Sequence, residues 1–201
     1  MVLSINRAGA IAALLFFACA ASANAATLTE LERERLIAHL EMTAEWLTDE
    51  VSGLSAAQLH FRPAPDIWSI ADVVEHLVVV APIYWQDLQN AMKGPAPTRA
   101  SSMSDADILW YGIDRTRRDK ALPTETPKGQ LHDLKGALDA YRKAHARLVE
   151  YARTTKDDLR SRIVERQGCD GYQWALMIST HEQRHILQIR EIKADRKFPK
   201  K

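Results

Sequence analysis

Four long stretches of this chain repeat their apolar residues with the period of an α-helix, and none alternates as a half-buried strand does. The first runs from about Leu28 to Val51, with Leu36, Leu40, Trp46 and Leu47 roughly on one face. Ser69, followed by Asp72, is a good N-cap for the second, and Trp68 is placed to staple back onto its first turn. That helix should reach about Met92. Its Val73, Val74, Leu77, Val78, Val79, Val80 and Ile83 mark it as central and well buried, with a local kink at Pro82. The third spans about Leu131 to Thr154, with Leu134, Leu138, Tyr141, His145 and Leu148 along one stripe; the last runs from about Tyr172 to Ala194. Helices of comparable length bury such stripes most economically as an all-α four-helix bundle. The connection from Lys93 to Gly129, broken by four prolines and holding a short helix from about Ser104 to Lys120, is long enough to cross the whole bundle. Helices two and three can therefore run parallel, which favours an up-down-down-up order.

The N-terminus reads as an address. Arg7 precedes an apolar run from Ala8 to about Ala21, and Ala23-Asn24-Ala25 offers a cleavage site, the layout of a secretory signal peptide over residues 1–25. The run is too short for a membrane span. A lipoprotein signal with lipid on Cys19 is a rival, but Phe16 fits it poorly. The expected product is periplasmic or secreted, one domain over residues 26–201. Lys and Arg number 27 against 26 Asp and Glu, and loss of Arg7 equalises them. A neutral chain lacks the broad positive field that nucleic-acid binding needs. Cys169 alone survives cleavage, so no internal disulfide can form.

Chemistry concentrates on the histidines. His181 and His185 stand one turn apart on the face that also carries Trp174, Ile178, Gln188, Ile189 and Ile192, so both imidazoles point into the bundle. His76 lies on the apolar face of the second helix, roughly 10 Å from its start, while the pair lies roughly 15 Å or more into the last helix. If those helices are antiparallel, all three histidines reach one end of the bundle. Three imidazoles there would hold one divalent ion and leave positions open for water or substrate. The rival reading is a polar core of hydrogen-bonded histidines. His181-Glu182-Gln183-Arg184-His185 also spells the zinc-protease pattern H-E-x-x-H, with Glu182 as general base. Against that stand Gln188 where the extended motif needs glycine, few residues downstream for a third ligand, and no strand edge to align a peptide. A ferritin-like di-iron site needs a second Glu-x-x-His unit, and no other histidine here has glutamate three residues before it.

The stretch Arg62-Pro63-Ala64-Pro65, Trp68-Ser69-Ile70 and Glu75-His76-Leu77 resembles the second-helix signature of the DinB-like superfamily. Tyr172 to His181, His185 and Gln188-Ile189 resemble its last helix. The resemblance covers nearly the whole mature chain. It implies an up-down-down-up bundle, often dimeric, with His76, His181 and His185 as ligands of zinc or nickel, iron and manganese being further options. It also implies a small-molecule substrate and a metal-dependent transferase, with a thiol co-substrate, or a hydrolase. Export and the longer insert after helix two depart from the family pattern, and export casts doubt on the thiol-transferase role. A bound ion would lower the pKa of water or thiol toward neutrality. Glu182 is a candidate base, although it is rotated about a quarter turn or more from the ligand face, which favours a surface residue or one that supports the ligands from behind. Gln188 could orient a ligand; Trp68, Tyr84, Trp85, Trp110 and Trp174 could line a pocket; and Cys169 could be a reactive thiol. The non-catalytic alternative is a periplasmic metal-binding or interaction module in which the ion only pins helices together.

Overall fold

The computed structural model describes residues 27–200 apart from 96 and 98, so the expected signal peptide and Cys19 lie outside the described residues. Four long helices form the frame: α1 (Glu30–Val51), α3 (Ile70–Lys93), α5 (Leu134–Thr154) and α6 (Gly171–Lys193). Two shorter ones, α2 (Ala56–Leu59) and α4 (Asp105–Ile113), lie in the connections. Among the described residues no helix is long and apolar enough to cross a membrane. Capping boxes start most of these elements. Thr29 with Glu32 opens α1, Ser69 with Asp72 opens α3, Ser104 with Asp107 opens α4, and Asp170 with Gln173 opens α6. Each pair satisfies two otherwise orphaned N–H groups at the helix start. Helix α3 runs as one element through Pro82.

Side-chain partners give the helix directions. Along α1, Thr43 meets Glu182 and Glu50 meets Arg190, so α1 and α6 run parallel. Tyr84 packs on Trp174 while His76 packs on His181, so α3 and α6 are antiparallel. Trp85 meets Tyr151 while Val74 and Leu77 share a core cluster with Tyr141, so α3 and α5 are parallel. Arg33, near the start of α1, reaches the carbonyl of Ala152 near the end of α5, which makes that pair antiparallel. The bundle is therefore up-down-down-up, with the crossover between α3 and α5.

Three features differ from the sequence reading. The short helix ends at Ile113, not near Lys120. There the Asp114 carboxylate accepts from the N–H of Thr116, and the buried Arg184 guanidinium takes the carbonyls of Tyr111, Asp114 and Arg117, which closes the helix end. Second, the most enclosed helix is α6, whose residues from Gly171 to Glu182 are all buried. The face that a four-helix bundle would leave to solvent is covered by α4. Gly112 makes that approach possible, since a Cβ there would lie 2.9 Å from Thr180 Cβ. Third, a small antiparallel pair precedes α6, β1 (Ile163–Val164) with β2 (Cys169–Asp170). Strands of two residues are too short to show alternation.

The crossover is strapped to the start of α3. Both oxygens of the Glu75 carboxylate are used: Oε1 accepts the N–H of Lys128 at 2.6 Å, and Oε2 those of Gln130 and Leu131 at 2.9 and 3.2 Å. The same segment covers His76, whose Nδ1 meets the main-chain carbonyl of Glu125.

Candidate metal centre

The antiparallel pairing of α3 and α6 sets His76, in the second turn of α3, against His181 and His185. All three side chains are buried, at 2, 8 and 9 % exposure. His181 Nε2 lies 3.3 Å from His76 Nε2 and 3.1 Å from His185 Nε2, and one nitrogen from each ring falls within 4.8 Å of the others. Bonds of about 2.0–2.1 Å separate two ligands by about 3.3–3.4 Å at tetrahedral angles and about 2.9 Å at right angles. The observed spacings lie between these values. They are the spacings that two edges of a coordination polyhedron would have if one ion sat among the three rings.

The donor chemistry supports the same conclusion. His76 Nδ1 faces the main-chain carbonyl of Glu125 at 2.7 Å, and a carbonyl only accepts, so Nδ1 carries the proton. His185 Nδ1 is likewise held by Gln188 Oε1 at 2.8 Å. Both rings therefore present a bare Nε2 lone pair to the centre. Nε2 of His181 can donate one proton to one of them and leaves the other facing it without a proton. A cation resolves this crowding of lone pairs. Burial lowers the pKa of His76; burial and the neighbouring imidazoles hold His181 at about 3 and His185 well below the usual histidine range. All three are therefore neutral at pH 7, the state that ligates metal.

Other residues singled out in the sequence fall elsewhere. Glu182 is not a surface residue and is not a member of the histidine cluster. It is 5 % exposed, and its Oε2 accepts from Thr43 Oγ1 on α1 and His145 Nε2 on α5, both at 2.9 Å. With Trp85, Tyr141 and His145 it borders a small separate cavity of about 20 Å³, room for about one water. Trp68 stacks on His185 and tilts against His76, and Tyr84 meets His181 edge-on at 5.5 Å, so these two rings wall the cluster. Trp174 is core, its Nε1–H donating to the Tyr84 carbonyl, and Trp110 is 65 % exposed. Cys169 is completely buried in β2, and burial pushes its thiol up to about 12. A thiol reagent should therefore leave Cys169 unmodified in the native protein and label it only on unfolding, as peptide mapping would read directly.

The profile of the DinB superfamily matches residues 39–189. This chain belongs to the DinB superfamily. Within the matched span lie the whole of the strap and all three clustered histidines. An uncharacterized protein of Bacillus subtilis (strain 168), YuaE, is 27 % identical over 154 residues, which cover 72 % of this chain and 89 % of that one. YfiT from Bacillus subtilis, described as a probable metal-dependent hydrolase with an unusual four-helix bundle topology, superposes with a TM-score of 0.55. It is 16 % identical, with 83 % of this chain and 89 % of that one covered, so the likeness establishes the fold. The up-down-down-up four-helix bundle that the resemblance implied is the architecture described above.

Sequence reasoning singled out Gln188, which holds His185, but missed the groups that orient His76. Glu125 acts through its main-chain carbonyl, which has no side-chain signature. Arg166 joins the same layer: its guanidinium pairs with Glu125 and Asp87 and lies 5.6 Å from the ring centre of Tyr84. The spacing puts His145 on the inner stripe of its helix, but nothing local indicates that Glu182 is its partner.

Proposed function

We propose that this chain is an exported, divalent-metal-dependent hydrolase of small molecules, its ion held by His76, His181 and His185. The observation that carries the reading is the convergence of three imidazole nitrogens at ligand spacing. Three protein ligands leave a coordination position for a reactant, as catalytic zinc sites do. Imidazole donors suit zinc and nickel. When bound, the ion supplies Lewis acidity. The protein holds the site ready: Glu125 and Gln188 fix two rings by Nδ1, Trp68 and Tyr84 limit water, and Glu75 keeps the strap in place. Hydrolysis is preferred to thiol transfer because hydrolysis is what the description of YfiT names and because export removes the chain from cytoplasmic thiols. Export itself rests on the pattern of residues 1–25.

The depth of the cluster favours a second reading, an ion that only pins α3 to α6, since none of the three histidines exceeds 9 % exposure. One experiment separates the two. Protein purified without a histidine tag should carry about one zinc or nickel ion per chain. Chelation should end turnover of at least one member of a panel of ester, amide and phosphoester substrates, with recovery when the metal is returned. Melting of the bundle on chelation with no substrate consumed at any stage selects the structural ion. Metal content near zero, with no uptake from solution, rejects both.

A further inference from the structure

Arg166 lies in the turn between β1 and β2, far in sequence from His76 and on a different element from any of the three histidines. Its Nη1 pairs with Glu125 Oε1 at 2.8 Å, and its Nε with Asp87 Oδ2 at 2.6 Å. Glu125 is buried, and its main-chain oxygen receives the His76 Nδ1 proton at 2.7 Å. One residue is thus gripped through its side chain by Arg166 and grips His76 through its backbone. Asp87 follows His76 by about three helical turns, so it shares a face of α3 with the histidine. Arg166 therefore ties the strap, at Glu125, to the same helix face that carries His76, across the Tyr84 ring that packs on His181.

We propose that Arg166 is a positioning residue of the metal centre, fixing the Glu125 carbonyl and through it the orientation and tautomer of His76. This rests on the metal reading above. The physical reason is that a neutral imidazole carries its proton on either nitrogen, and the partner of one nitrogen decides which. With the carbonyl displaced, His76 is free to place its proton on Nε2, where it blocks ligation. An ordinary exposed ion pair would have no such reach, and the same turn supplies a control. Arg99 pairs with Glu165, the neighbour of Arg166, and both of those side chains are exposed.

The test compares untagged wild type with Arg166→Met, Arg166→Lys and Arg99→Met. Zinc affinity is measured by competition with a chromophoric chelator, and the tautomer of His76 in metal-free protein by long-range ¹H–¹⁵N NMR. Losses on removing the outer partner of a metal ligand run at about 10–100-fold. Arg166→Met should weaken zinc binding by that factor and turn His76 from a single Nδ1–H form into a mixture. Lysine should restore part of both, and Arg99→Met should change neither. If Arg166→Met does not fold, Glu125→Gln takes its place, because it keeps the main-chain carbonyl and removes the ion pair. Wild-type affinity and an unchanged tautomer in the Arg166 variants overturn this inference alone, as do equal losses in the Arg99 variant. Failure of the wild type to bind either zinc or nickel rejects the metal reading instead, and the tautomer measurement then still decides whether Arg166 positions His76.

Discussion

Replacing His76 with alanine is expected to remove metal binding while leaving the bundle folded. His181 and His185 sit one turn apart on one helix, and the third donor from α3 is what encloses an ion between two elements. Loss of one of three ligands should cost on the order of a thousandfold in affinity, about 4 kcal/mol. The fold should survive. Although His76 is buried, its removal deletes one hydrogen bond, to the Glu125 carbonyl, and relieves the crowding of unprotonated nitrogens around His181 Nε2. The two effects oppose each other, so metal-free wild type and variant should unfold within about 1–2 kcal/mol of each other. Metal then separates them. At a free concentration a thousand times Kd, the ion adds about 4 kcal/mol to the wild type. For a domain of this size that raises the melting temperature by roughly 8–16 °C. The variant, which that concentration only brings to its own Kd, should gain about 0.4 kcal/mol and rise by roughly 1 °C. Elemental analysis and thermal melts with and without zinc make the measurement, and a variant that still binds one ion tightly would remove His76 from the site.

What the sequence disclosed here was what local geometry controls. His181 and His185 could be placed on one inner face by a spacing of four, and the depth of His76 followed from counting residues after its Ser69 cap. Both quantities belong to single helices. The antiparallel arrangement that brings them together was legible because a crossover from Lys93 to Gly129 is too long for a neighbour-to-neighbour turn. The coverings were not legible. Nothing in the periodicity of α6 shows that α4 will lie along its remaining face, and the evidence for it is Gly112 against Thr180, a contact between distant segments. Glu125 and Arg166 escaped for a related reason. One contributes a backbone carbonyl and the other projects from a four-residue turn, so neither sits on a repeating pattern. Glu182 shows where the local argument stops. Its rotation away from the ligand face could be read from the helix, but that direction leads to Thr43 and His145 and not to solvent.

Glu182 therefore supports a prediction that separates two roles for the same side chain. As the general base of an H-E-x-x-H motif, its loss would reduce turnover and leave stability alone. In the structure it is a buried carboxylate whose Oε2 is shared between the Thr43 hydroxyl and the His145 imidazole, and His145 is equally buried. Glu182→Ala should thus cost about 3–5 kcal/mol, the range for breaking a buried pair and stranding its partner. That is a large share of a typical domain's stability and should lower the melting temperature by roughly 10 °C. His145→Ala should cost a similar amount, and the double variant less than the sum, because each single change already breaks the shared contact. The pH profile adds a sign. Burial alone would lower the pKa of His145, but the charge and hydrogen bond of Glu182 outweigh it and raise the value above 6.5. The stability from protonated His145 is fully present below pH 6.5 and is lost as pH rises through the raised folded value. In Glu182→Gln the charge is gone and only burial acts, so this alkaline fall should disappear. Urea titrations from pH 6 to 9 on the three single variants and the double variant supply every quantity. Wild-type stability in Glu182→Ala, combined with lost turnover, would return Glu182 to catalysis. Lost stability with the pH slope abolished assigns it to holding α1, α5 and α6 together, leaving the chemistry to the histidine face on the other side of the helix.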